Sequence, residues 1–128
     1  MNPYQNLWGE PKIGKGTKLG AFVDIGRGVE IGEDCIIQAF VSIPPGWKIG
    51  NKVFIGPHAC FANDKHPNAK VNNWSVWHGE VKDGASIGMN ATILPVVIGE
   101  NSIIGAGAVA TKNVPDGETW IGNPARKK

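Results

Sequence analysis

The sequence predicts an all-β fold, a single domain of short strands wound coil upon coil. Two observations predict it. An aliphatic residue or Phe recurs at every sixth position, at Ile13, Leu19, Ile25, Ile31, Ile37, Ile43, Ile49, Ile55 and Phe61. Gly follows it in six of these nine units, and the whole chain carries 18 Gly in 128 residues beside an ordinary 41% of hydrophobic residues.

A period of six fits neither an amphipathic helix nor a lone strand. It fits one short strand and one corner per unit, because Gly accepts the positive φ that a sharp corner needs. A small or β-branched residue lies four positions after most of the aliphatics, at Thr17, Val23, Val29, Cys35, Val41, Val53 and Ala59, with Trp47 breaking the series. The recurrence resumes at Val81, Ile87, Ile93, Ile98, Ile104 and Ala110, with Ala85, Ala91, Val97, Ser102, Ala108 and Val114 at the second position. The step from Ile93 to Ile98 is one residue short, which predicts a tightened corner. Burying one such side chain is worth roughly 1.5–3 kcal/mol, and ordering one residue's backbone costs roughly 1–2 kcal/mol. A lone six-residue unit is therefore unstable. Stacking is obligatory, and the ends need cover.

Composition narrows the function classes. No apolar run approaches the roughly 20 residues of a membrane span. Met1 to Gln5 lacks the pattern of a signal peptide, so the expected compartment is the cytoplasm. A net charge of +2 with scattered lysines argues against a nucleic-acid groove. Cys35 and Cys60 are too few for a disulfide framework and are expected to be reduced, buried small hydrophobes.

The period fails between Phe61 and Val81. Ala62 to Glu80 holds Asn63, Asp64, His66, Trp74, Trp77 and His78. Loops that leave a rigid scaffold carry function disproportionately. A tolerated surface insertion would rarely hold two tryptophans and two of the three histidines.

Units that begin with Ile, Leu or Val followed by Gly resemble the hexapeptide-repeat acyltransferases, from about Ile13 to Arg126. The resemblance implies three units per turn and a left-handed parallel β-helix, a hand opposite to the general rule for parallel crossovers. Fifteen units then make about five coils. Residues 1–12 are expected to cap one end, with Tyr4, Leu7 and Trp8 over the opening. Coils follow over 13–61 and 81–115. The loop 62–80 protrudes between them as the active-site loop. The tail 116–128 closes the other end, with Trp120 and Ile121 folding back.

Phe61-Ala62-Asn63-Asp64 followed by Pro67 resembles a signature of sugar-nucleotide N-acetyltransferases. His66-Pro67 falls on the His-Pro pair of galactoside and maltose O-acetyltransferases, where the His is the general base. The resemblance thus implies acetyl transfer from acetyl-CoA to a sugar or sugar nucleotide, an amine being the favoured acceptor. Histidine suits such a base because its proton exchanges near working pH. Asp64 is expected to orient the imidazole or hold the acceptor amine, and Asn63 to bond the acceptor or the thioester carbonyl. Trp74 and Trp77 are expected to wall the acceptor pocket. His78 is a rival base, and His58 is expected on an exposed face.

Ile104 to Pro115, then Gly122-Asn123-Pro124-Ala125-Arg126, is similar to the C-terminal signature of these transferases. By that likeness Ala106 and Thr111 line a pantetheine groove, Lys112 and Arg126 meet the phosphates of CoA, and the Met89 N–H faces the thioester oxygen. The family implies a homotrimer with the cofactor between prisms, no metal, and neither nucleic acid nor membrane as partner. The chain stops just after Arg126, so the C-terminal element that completes the trimer elsewhere is expected to be missing. Three alternatives stand beside this reading. One is O-acetylation of a simple sugar or antibiotic. Another is a γ-carbonic-anhydrase-like zinc enzyme using His58, His66 and His78, although their spacing lacks that family's close pair. The last is a CoA-binding scaffold without turnover.

Overall fold

The computed structural model describes residues 4–128, so residues 1–3 of the expected cap lie outside the described residues. The chain winds into a left-handed, three-faced parallel β-helix of about six turns. The first coil holds β1 (Asn6–Leu7), β2 (Lys12–Ile13) and β3 (Lys18–Leu19). The second holds β4 (Asp24–Ile25), β5 (Glu30–Ile31) and β6 (Ile36–Ile37). The third holds β7 (Ser42–Ile43), β8 (Trp47–Ile49) and β9 (Phe54–Ile55). The fourth holds β10 (Cys60–Phe61), β11 (Gly79–Val81) and β12 (Ser86–Ile87). The fifth holds β13 (Thr92–Ile93), β14 (Val97–Ile98) and β15 (Ile103–Ile104). The sixth holds β16 (Val109–Ala110), a single bridge at Val114 against Ile98, and β17 (Thr119–Ile121). β18 (Arg126–Lys127) then returns antiparallel to β17.

Every third strand pairs in register. Face 1 runs β1-β4-β7-β10-β13-β16, face 2 runs β2-β5-β8-β11-β14, and face 3 runs β3-β6-β9-β12-β15-β17 with β18 at its edge. Leu7 lies on Ile25 and Ile25 on Ile43 on face 1, and Ile37 lies on Ile55 and Ile55 on Ile87 on face 3. The inward residue of nearly every strand is thus dried by its own kind above and below. Ile25, Ile43, Ile55, Ile87, Ile93 and Ile98 have no exposed surface. The second-position residues Val23, Val29, Cys35, Val41, Ala59, Ala85, Ala91 and Ala108 fill the corners just as completely.

The turns number about six where five were expected, because the repeat extends past both of its expected ends. Leu7 does not cap the helix; it is the first inward rung and packs against the core. Tyr4 and Trp8 stay largely exposed. The end cover comes from Gln5, whose Nε2 donates to the carbonyls of Leu19 and Gly20 at 2.8 and 3.2 Å. At the other end Trp120 and Ile121 do not fold back. They continue face 3, pairing parallel with β15. The chain reverses only after them, and fully buried Ala125 plugs the top with its N–H on the Val109 carbonyl, 2.8 Å away.

The short step behaves as expected, with one consequence for the second position. Three residues join β13 to β14 instead of four, so Val96 turns inward and Val97 faces out. Val114, expected at a second position, takes the lead position of its face. Cys35 is buried as expected, but Cys60 is exposed, because it precedes inward Phe61 in a strand whose side chains alternate.

Side chains stitch the edges. Where face 2 meets face 3, Asn51 Oδ1 accepts the Glu33 N–H, Asp83 Oδ1 the Asn51 N–H and Asp116 Oδ1 the Glu100 N–H, each at 2.8 Å. Where face 3 meets face 1, Phe22, Phe40 and His58 hold φ of 60°, 64° and 63°. Such a conformation costs on the order of 1–3 kcal/mol per non-Gly residue. Their rings stack, Phe22 on Phe40 at 5.2 Å and Phe40 on His58 at 4.7 Å, and ring pairs return about 0.5–1.5 kcal/mol each. His58 is exposed there, as expected.

Ile55→Ala removes a fully buried rung held between Ile37 and Ile87. It is expected to cost about 2–5 kcal/mol in urea unfolding. Lys12→Ala, which removes an exposed 3.7 Å ion pair to Glu30, is expected to cost less than about 1 kcal/mol.

Candidate functional site

The loop leaves the helix where face 1 meets face 2. Gly79 and Glu80, expected in the loop, already belong to β11, so the excursion runs over 62–78. Its root is a packing device. Trp47 occupies an inward position, 2% exposed, with its ring edge-on to Phe61 at 4.8 Å. Trp47 lies beneath Gly79 in register, and a Cβ on Gly79 would stand 2.5 Å from the indole. A large residue in one coil is thus accommodated by the absence of a side chain in the next. The indole Nε1 donates to the Ala62 carbonyl at 2.9 Å, fixing where the loop departs. At its far end the Gly79 N–H reaches the Gly46 carbonyl at 3.1 Å.

Within the loop Asn63 and Asp64 hold backbone. Asn63 Nδ2 donates to the Pro45 carbonyl at 2.9 Å, and the Asn63 carbonyl accepts the Trp77 N–H at 3.0 Å. Asp64 Oδ1 accepts the His66 main-chain N–H at 2.8 Å. The carboxylate therefore sets the His66 backbone and does not contact the ring. The exposed imidazole of His66 meets Trp77 edge-to-face, 6.0 Å between centroids, and Lys65 Nζ lies 5.6 Å from the same indole. Trp74 is 48% exposed and Trp77 41%, so neither walls a closed pocket in the single chain. His78 is also exposed, in a shallow cleft with Gly46, Lys48 and Glu80.

Of the residues expected to hold CoA, Met89, Ala106, Thr111 and Lys112 divide between two edges of face 1. Met89 and Ala106 sit at successive corners where face 3 meets face 1, exposed, and the N–H of each has no partner among the described residues. Thr111 and Lys112 sit across that face, at the edge that bears His66 and two coils further along. Lys112 makes no ion pair among the described residues. Arg126 lies on β18, exposed, donating to the Ala125 carbonyl. One chain brings His66 and Lys112 to a common edge and leaves Met89 and Ala106 on the opposite one. Among the described residues no three His, Cys, Asp or Glu side chains converge as metal ligands would. No helix of the described residues is long and apolar enough to cross a membrane.

Two family models match the chain, the bacterial transferase hexapeptide (six repeats) over residues 10–45 and the hexapeptide repeat of succinyl-transferase over residues 82–112. The chain belongs to the hexapeptide-repeat family. This hexapeptide-repeat chain is 41% identical over 83 residues to a putative acetyltransferase of Schizosaccharomyces pombe, covering 61% of the chain and 40% of the relative. It is 35% identical over 119 residues to gamma carbonic anhydrase 1 of Arabidopsis thaliana mitochondria, covering 81% and 42%. Among solved structures, a perosamine N-acetyltransferase variant from Caulobacter crescentus in complex with CoA and GDP-perosamine superposes with a TM-score of 0.84. It is 26% identical, over 98% of this chain and 54% of that one. The hexapeptide-repeat chain thus spans about half the length of these three proteins, or less.

Trp8, Asp24 and Arg27 line a cleft at the same edge as His66, and the sequence pattern did not single them out as a site. A signal was present. Leu7 stands six residues before Ile13, and counting it as a unit would have put Trp8 at a corner.

Gly79→Ala is expected to destabilise the chain by about 1–3 kcal/mol through overpacking against Trp47. It should also speed limited proteolysis within 65–75. Trp47→Leu placed on top of it should recover most of the loss, and a double-mutant cycle in urea measures the coupling.

Proposed function

We propose that the chain is an acetyl-CoA-dependent acetyltransferase acting on a sugar nucleotide, with an amine acceptor and His66 as general base. The observation that carries this reading is the overlap of nearly the whole chain with an N-acetyltransferase that holds both CoA and an amino-sugar nucleotide. His66 supports it, an accessible imidazole on a loop pinned at both ends to a rigid prism.

Acetyl-CoA supplies an activated thioester. His66 takes the proton that the acceptor amine loses as its nitrogen bonds to the thioester carbonyl carbon. When the C–S bond breaks, the imidazolium returns that proton to the departing thiolate. The Met89 N–H, without a partner among the described residues, is a donor for the oxygen on which negative charge develops. Lys112 and Arg126, which make no ion pair among the described residues, carry positive charge suited to phosphates. Asn63 and Asp64 act as positioning residues, and each keeps one side-chain oxygen for the acceptor. Trp77 lies beside His66, where an acceptor sugar can pack on its face. The split of His66 and Lys112 from Met89 between two edges of face 1 supports a homotrimer in which the groove between neighbouring prisms unites them.

A zinc-dependent hydration of CO2 is the second reading, favoured by the 35% identity to a gamma carbonic anhydrase. It requires convergent imidazoles; within one chain His58 stands on a different edge from His66 and His78, so this reading too would need the three to meet between neighbouring prisms.

With amino-sugar nucleotides as acceptors, His66→Ala is expected to slow thiol release from acetyl-CoA by at least about tenfold. Turnover equal to wild type would remove His66 from the mechanism. Light scattering on the same preparation is expected to give three chains per particle. In elemental analysis of the purified protein, zinc is expected to be substoichiometric; one zinc per chain would shift the balance to the second reading.

A further inference from the structure

A second concave surface lies on the same edge as His66, towards the N-terminal end. It encloses about 260 Å³ and is lined by Trp8, Asp24, Gly26, Arg27, Pro44 and Pro45. Its walls differ chemically. The Trp8 indole, half exposed, and two proline rings supply apolar surface. Asp24 adjoins the indole. Its Oδ1 accepts the Trp8 Nε1–H at 3.0 Å and the Asn6 amide at 2.7 Å, and these bonds hold the indole in place while Oδ2 has no hydrogen-bond partner among the described residues. Arg27 completes the cleft. Gly9, with φ of 61° and no side chain, lets the guanidinium lie across the preceding corner, where a Cβ would stand 2.9 Å from Nη1. Arg27 makes no ion pair among the described residues. An aromatic plate, a hydrogen-bond acceptor and a guanidinium without an ion pair among the described residues offer contacts for a base, a ribose diol and a diphosphate.

The cleft is tied to the loop. Pro45 lines it, and the Pro45 carbonyl holds the Asn63 amide. Arg27 belongs to the corner after β4 and the loop to the corner after β10, two coils on. The guanidinium lies one coil further back, over Gly9, so at the spacing of paired strands it stands about 14 Å from the root of the loop, a gap for the diphosphate and its linked pyranose together to bridge.

We propose that this cleft binds the nucleoside diphosphate half of the acceptor, with Trp8 stacked on the base, Asp24 taking ribose hydroxyls and Arg27 pairing with the diphosphate. The assignment rests on the acetyl-transfer reading for what happens to the sugar, but binding can be measured without turnover. A nucleoside diphosphate also forms part of CoA, so the experiment separates the two sources.

Isothermal titration of the full chain with UDP, GDP, dTDP and ADP, each alone and in the presence of saturating desulfo-CoA, tests it. At least one of UDP, GDP and dTDP is expected to bind below millimolar concentration and to keep its affinity when desulfo-CoA is bound. Arg27→Gln should weaken that binding at least about tenfold, and Trp8→Leu at least about fivefold. Arg27→Gln should leave acetyl-CoA affinity, and His66→Ala the nucleotide affinity, within about twofold, as expected for separate sites. A thermal melt confirms the fold of Trp8→Leu, and Arg27→Gln at an exposed position stands as the independent variant. The proposal is overturned if none of the four nucleotides binds, if neither variant weakens binding, or if desulfo-CoA competes for the same site. Nucleotide binding with this mutational pattern but no acetyl transfer to any amino sugar would overturn the catalytic reading and uphold the cleft. Acetyl transfer with nucleotide affinity indifferent to Arg27 and Trp8 would do the reverse.

Discussion

An aliphatic side chain at every sixth residue is kept dry by its equivalents in the coils above and below and by the inward residues of the other two faces. Ile55 has Ile37 under it and Ile87 over it. The three faces, the stitched edges and the caps all follow from keeping that column in register. One slipped residue would turn inward side chains to solvent and bring outward lysines and glutamates into the core. The stack has no tolerance for slippage and much tolerance for what hangs from its corners. That is why a seventeen-residue excursion can leave at Ala62 and the next strand still lands on its partner.

The root of the excursion shows how this is done. Trp47 fills the interior where a smaller residue stands in other coils, and Gly79 yields the volume. The same indole ties down the first residue of the loop. A single oversized side chain thus serves the core and the site together, and the loop's position is inherited from the rigidity of the helix. His66 then owes its place to short-range bonds, Asp64 on its main-chain N–H and Asn63 on Pro45. Precision at the imidazole comes from backbone anchoring, while the ring itself remains accessible.

Much of this was legible in the sequence. The period, the second-position series and the short step between Ile93 and Ile98 each have a direct structural counterpart, since each reports a local constraint. Two things were hidden. The coil count was low because Leu7 and Trp120 carry the six-residue phase without the Ile-Gly signature, and Val114 follows Ala110 by only four residues at a tightened corner. The roles of Asn63 and Asp64 were read as chemistry toward a substrate, but their bonds to Pro45 and to the His66 main chain depend on loop geometry that no spacing encodes. The cleft at Trp8 was missed for a related reason. Its walls come from three coils, eighteen residues apart along the chain, and only stacking makes them neighbours.

That stacking turns the prism into a gauge. Equivalent positions recur at eighteen residues, as from Leu7 to Ile25 to Ile43, and each recurrence advances the axis by one strand spacing of about 4.8 Å. The interval between the corner that bears Arg27 and the root of the His66 loop is therefore a whole number of such increments. A chain of this design cannot retune the interval by fractions; it can only gain or lose a full winding. Selection among acceptors by their reach would then proceed in discrete jumps, with intermediate lengths accommodated by the loop alone.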